Sequence, residues 1–248
     1  MANTRRPRRR LVGEMTDDRE LAGLDPFDLL DAEAERLDAF FSGLDESGWN
    51  QASRCAGWTV RDVLRHLAMG EDYHRACLDG TVATFLARYA ERGGKDMDSV
   101  NALGVADYAA LSPPEALARW RATSEDNRGR FRERGYGVVD TSVGDYPCRW
   151  QAFHVAAELA THADDVGVPT APAEDAERTA WRARYSRFAL AEAKPQLEIR
   201  PAGARTAVSD GPTTVELDDH ELIEAVMDRL DETSRLDATL RELLSTMP

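Results

Sequence analysis

Arg149-Trp150-Gln151-Ala152-Phe153-His154-Val155-Ala156-Ala157-Glu158-Leu159-Ala160-Thr161-His162-Ala163-Asp164-Asp165 is the stretch on which the fold turns. Its apolar members Trp150, Phe153, Val155, Ala156, Leu159 and Ala160 recur at helical intervals, and Gly167-Val168-Pro169 then stops the run. The same segment carries His154, Glu158 and His162 at i, i+4 and i+8. Side chains four apart share a helix face with Cβ atoms about 5–6 Å from each other, so Glu158 and His162 can share a metal ion. That spacing also suits an ordinary helix-stabilising pair, and a histidine on a half-apolar face is often just a hydrogen-bonded boundary residue.

Three long helices are predicted upstream. Phe27, Leu30, Ala34, Leu37, Phe40 and Phe41 give an amphipathic pattern from Asp25 to about Gly43. Thr59 and Asp62 form a capping signal before Val60, Val63, Leu64, Leu67 and Ala68, a helix that reaches about Leu78. Ser112-Pro113-Pro114-Glu115 opens the third, with Leu117, Trp120 and Phe131 inside it and Gly135-Tyr136-Gly137 at its end. Between Thr81 and Val105 the turn cluster Gly93-Gly94-Lys95-Asp96 predicts a short helix and then a loop. Four helices of similar length read as a bundle.

Past Pro172 the pattern changes. Residues 175–193 look helical, Gln196–Arg200 and Thr213–Leu217 alternate with period two, and a helix follows from Asp218 to about Leu230. A last helix holds Leu236, Leu240, Leu243 and Leu244. The expected fold class is mainly α, a bundle over residues 21–172 with a small α+β region over 173–248, behind a disordered tail over 1–20.

Composition narrows the function classes. The 248 residues carry a formal charge of −14 with pI near 4.8, which argues against a protein that coats nucleic acid. Arg5, Arg6, Arg8, Arg9 and Arg10 form the one basic run, in the tail, and Met15 is a possible alternative start. Nothing approaches the roughly 18 consecutive apolar residues of a membrane span, so a cytoplasmic protein is expected. Cys55, Cys77 and Cys148 lack CxxC spacing and read as small buried hydrophobes.

A second imidazole, from His66, would complete a His₂Glu set with an open coordination position. Such a set suits zinc or non-haem iron. His74 stands about 12 Å along the axis from His66 at 1.5 Å per residue, too far for both to bind one ion. His154 flanks Glu158 from the other side as a pocket candidate, and His220 reads as exposed.

Cys55-Ala56-Gly57-Trp58-Thr59-Val60-Arg61-Asp62-Val63-Leu64-Arg65-His66-Leu67-Ala68 resembles the signature of the mycothiol-dependent maleylpyruvate isomerase family, within the DinB-like metal-binding four-helix bundles. Glu158-Leu159-Ala160-Thr161-His162 through Asp165, Gly167 and Pro169 is similar to that family's second stretch. The likeness covers about residues 26–192. It implies His66, Glu158 and His162 as metal ligands, zinc above all, and a mycothiol-like low-molecular-weight thiol activated in the open position. It also implies a small electrophilic substrate. A thiol that adds to a conjugated double bond and leaves after rotation gives cis–trans isomerisation; one that stays gives S-transfer. Tyr73, His74, Trp150 and His154 are expected on the pocket wall, with Arg149 near an anionic substrate, and Arg229 as a thiol contact, although the family's preceding glycine is replaced here. No nucleic acid or membrane partner is expected, and the chain reads as a monomer or homodimer. The other reading is a DinB-like bundle that binds metal or a small ligand without turnover.

Overall fold

Asp25 starts the first helix by accepting a hydrogen bond from the Phe27 amide at 2.9 Å, with Pro26 pre-set for the first turn. The computed structural model describes residues 16–246. Most of the expected tail therefore lies outside the described residues, while Arg19–Leu21 forms one 3₁₀ turn. The helix, α1, runs Pro26–Ser42 and buries Phe27, Leu30, Ala34, Leu37 and Phe41. After the single turn α2 (Glu46–Trp49), α3 spans Val60–Asp79 and ends at Gly80, whose φ of 69° is the left-handed conformation that favours glycine. Next come α4 (Val82–Ala90), α5 (Met97–Asp107) and α6 (Pro113–Arg134). The hairpin of β1 (Val138–Thr141) and β2 (Gly144–Pro147) leads into α7, Cys148–Asp165.

Helices α1, α3, α6 and α7 form a four-helix bundle: α1 packs along α7 and α6, α3 along α6, and α6 against α7. The core between them includes Leu30, Leu37, Leu64, Phe131 and Phe153. Phe41 stacks on Trp49 and meets Trp120 edge-on. On the outside, Arg132 pairs with Asp28 at 2.9 Å and with Asp31 at 2.6 Å, Arg128 with Asp31, and Arg121 with Asp38.

Residues 25–168 cluster as one compact unit, and 16–24 with 169–246 as another. The second holds α8 (Pro172–Ala193), then the antiparallel sheet β3 (Glu198–Ala202), β4 (Arg205–Ser209) and β5 (Thr214–Leu217), and the helices α9 (Asp219–Val226) and α10 (Ala238–Leu244). Its make-up is α+β, as the fold class leads one to expect, but it begins at Pro169 and also takes in residues 16–24. Its core includes Phe188, Leu190, Val208, Leu217, Leu222 and Val226.

Several elements differ from expectation. α5 stands where a loop was expected because a capping box makes it: Asp96 accepts from the Ser99 amide at 2.8 Å, and Ser99 Oγ accepts from the Asp96 amide at 3.1 Å. Its one buried residue is Gly104, so no apolar stripe advertises it. β4 is the central strand of its sheet, buried along four of five residues, and so lacks alternation. The β1–β2 hairpin is too short to show a period.

Gly104 allows α5 to approach α3, since a Cβ there would fall 2.5 Å from Met69 Cγ and 3.2 Å from its Cβ. Gly104→Ala is therefore expected to destabilise the bundle by about 1–3 kcal/mol. Thermal melts should show Met69→Ala relieving part of that loss; an unchanged melt in the single variant would refute the close contact. Asp62 gives a second prediction. Burial works against its charge, but hydrogen bonds from the Thr59 hydroxyl at 2.7 Å, the Thr59 amide at 3.1 Å and Arg65 hold its pKa below 3.8. Its contribution is then fully present above about pH 4 and fades as pH falls through the lowered value. Urea unfolding should give Asp62→Asn a deficit on the order of 1 kcal/mol at neutral pH that shrinks at acid pH.

Candidate metal centre

His66, Gly70 and His74 lie four apart along α3, so their Cα atoms share one face. Glu158 reaches this face from α7: its Oε1 is 3.3 Å from His66 Nε2, and its Oε2 is 3.9 Å from His74 Nε2. Gly70 keeps the gap between the two imidazoles open, since a Cβ there would already stand 3.8 Å from Glu158 Oε1. His162, one turn further along α7, places its ring centroid 4.8 Å from that of His66. One donor atom from each of His66, Glu158 and His162 falls within 4.8 Å of the others.

Both histidines are buried, whereas 35% of the Glu158 side chain stays exposed, so the cluster has an accessible side. Burial opposes ionisation of Glu158, but the His66 hydrogen bond and the charges of His66, His74 and His162 prevail and hold its carboxyl at about 2. Burial likewise disfavours a charged His162, yet its hydrogen bonds to Asp165 and Cys55 and the nearby carboxylates push it up to about 9. Two imidazoles and an ionised carboxylate converging from two helices are a donor set that a divalent cation fits, with room for a further ligand.

The other expected site residues stand around this cluster in different ways. His74 is buried behind Glu158, with Nδ1 3.6 Å from Glu71 Oε2, and Glu71 in turn accepts from Asn127 Nδ2 at 2.7 Å. Burial disfavours its charge, but Glu71 and Glu158 raise its pKa overall. Tyr73 is half-buried and accepts from the Ser142 amide at 3.1 Å, which joins α3 to the hairpin tip. His154 Nε2 is 2.8 Å from Tyr146 Oη, and Tyr146 packs edge-on to Trp150, forming a cluster of their own. Arg149 donates to Tyr136 Oη at 2.6 Å. Arg229 lies in the second unit and donates to the carbonyls of Met227 and Asp228. His220 is exposed, as expected.

Cys77 and Cys148 are buried, as expected, but Cys55 is not simply an inert hydrophobe. It is half-buried and donates from Sγ to Asp165 Oδ2 at 3.2 Å. Sequence reasoning gave Asp165, Glu71, Asn127 and Trp58 no role at the site. Trp58 sets its ring 5.1 Å from His66, and Asp165 Oδ2 lies 3.0 Å from His162 Nδ1. The i, i+3 spacing of His162 and Asp165 was the signal available for that contact.

The fold and the cluster together define a helical bundle whose two facing helices carry a His/Glu/His set able to seat a divalent cation. A family model described as the mycothiol maleylpyruvate isomerase N-terminal domain matches residues 30–167, and the chain belongs to that family. The crystal structure of the mycothiol-dependent maleylpyruvate isomerase is similar at 18% identity, covering 72% of each chain with a TM-score of 0.51. A histidine-to-alanine mutant of that protein matches at 18% identity and the same coverage, with a TM-score of 0.50. No curated protein matches. Among the described residues, no helix is long and apolar enough to cross a membrane.

The Gly70 gap makes its own prediction. Gly70→Ala places a methyl at ordinary contact distance and should leave divalent-cation binding intact. Gly70→Leu should displace Glu158 and weaken binding on the order of tenfold or more. Titration against a chromophoric chelator separates the two, and equal affinities would mean that Glu158 does not depend on this gap.

Proposed function

We propose that the chain is a metal-dependent enzyme that uses a low-molecular-weight thiol on a small electrophilic substrate, as a cis–trans isomerase or an S-transferase. The thiol is mycothiol or a close relative, and the metal is zinc. The observation that carries this reading is the convergence of His66, Glu158 and His162, with Glu158 partly open to solvent, in a chain of this family. A divalent cation bound there would supply a Lewis acid that lowers the pKa of a thiol in its open position.

The chain's own residues do the rest. With a cation bound, His66 and His162 would give up their protons and offer nitrogen lone pairs, and Glu158 contributes the single negative charge of the set. His74 lies behind the second oxygen of Glu158 and favours its charged form. The Trp58 ring covers one side of His66 and limits water there. Tyr73, Trp150 and His154 remain candidates for the pocket wall.

Metal analysis of the wild type and His66→Ala, paired with a thiol-dependent assay on conjugated electrophiles, tests the reading. The wild type should hold about one ion per chain and consume substrate only with thiol present. His66→Ala should lose both properties. Wild type that stays free of metal after reconstitution would overturn the proposal, and metal without thiol-dependent turnover over a broad panel would establish a binding protein instead.

A further inference from the structure

His162 belongs to two clusters at once. One is the set with His66 and Glu158; the other brings Cys55 Sγ, His162 Nδ1 and Asp165 Oδ2 together. By residue type the second cluster is also a plausible metal seat, since sulfur, nitrogen and oxygen donors all bind zinc. Its hydrogen bonding points elsewhere. Asp165 Oδ2 stands 3.0 Å from His162 Nδ1 and 3.2 Å from Cys55 Sγ, which donates to it. The Asp165 side chain is fully buried, and its backbone carbonyl accepts from the Arg54 amide at 2.9 Å, tying the segment before α3 to the end of α7.

We infer that Asp165 is a positioning residue: it engages the Nδ1–H of His162, steadied by Cys55, so that Nε2 is the nitrogen presented to His66 and Glu158. An imidazole can carry its one proton on either nitrogen, and a carboxylate acceptor at Nδ1 selects the tautomer whose Nε2 lone pair is free. The carboxylate also makes that lone pair more basic. Cys55, Asp165 and Nδ1 then form the outer support of one centre, and the chain holds one ion where the donor clusters alone would permit two. This inference rests on the metal reading proposed above.

The test compares wild type, Asp165→Asn and Cys55→Ala in zinc titrations against a chromophoric chelator, with the thermal midpoint of each metal-free protein as a folding control. All three should bind one ion per chain, and Asp165→Asn should bind it about 10–100-fold more weakly. Histidine-labelled NMR of the cadmium-loaded wild type gives a readout independent of any variant's folding: His162 should show a protonated Nδ1 and a cadmium coupling at Nε2. Unchanged affinity in a folded Asp165→Asn overturns the inference, as does cadmium coupling at Nδ1. Two ions in the wild type, with one lost in Cys55→Ala, would make the second cluster a metal seat and overturn it too. A wild type that binds no ion at all fails the functional reading itself and takes this inference with it.

Discussion

A carboxylate held between imidazoles governs the bundle's interior. Glu158 projects from α7 into a gap on α3 bounded by His66 and His74, with His162 alongside on its own helix. An ion at such a place is costly to desolvate unless its buried side is answered by opposite charge or a donor. The surrounding histidines provide that answer, and the low pKa of Glu158 records it. A centre of this kind fixes how far α3 and α7 can separate, because losing one partner leaves the others as uncompensated polar groups.

Much of this was legible in the sequence, for reasons visible at particular residues. The stripes of α1, α3 and α7 are amphipathic enough for periodicity to find them. Glu158 and His162 sit four apart on one helix, and His66 follows an unmistakable capping pair. α5, by contrast, buries only Gly104, and β4 is enclosed on both faces, so neither displays the solvent-facing alternation on which pattern reading depends. The support around the centre was harder still. Asn127 and Glu71 come from α6 and α3, and Cys55 precedes α3 by five residues, so only the packed chain brings them near α7.

The two histidines of α3 show how one helix face can serve different ends. His66 faces one oxygen of Glu158 and His74 the other, eight residues further on, too far apart to meet at a single cation. His74 is instead connected through Glu71 to Asn127, a buried polar chain running away from the centre. Asn127 donates a hydrogen bond to Glu71, whereas His74 Nδ1 meets Glu71 only as a 3.6 Å ion-pair contact, so the chain restricts the orientation of Glu71 more firmly than that of His74.

The aspartate and arginine pairs on the surface of α1 and α6 have a topological consequence. Moving up α1 from Asp28 through Asp31 to Asp38, the partners move down α6 from Arg132 through Arg128 to Arg121. Individually, pairs this exposed add little to the free energy of folding. Reversing one rod would still set Asp28 and Asp38 opposite Arg121 and Arg132, so the antiparallel sense is marked by the off-centre middle pair alone, Asp31 with Arg128. A row of acids facing a row of arginines thus holds the two helices side by side, and only the uneven spacing within each row carries a sense of direction.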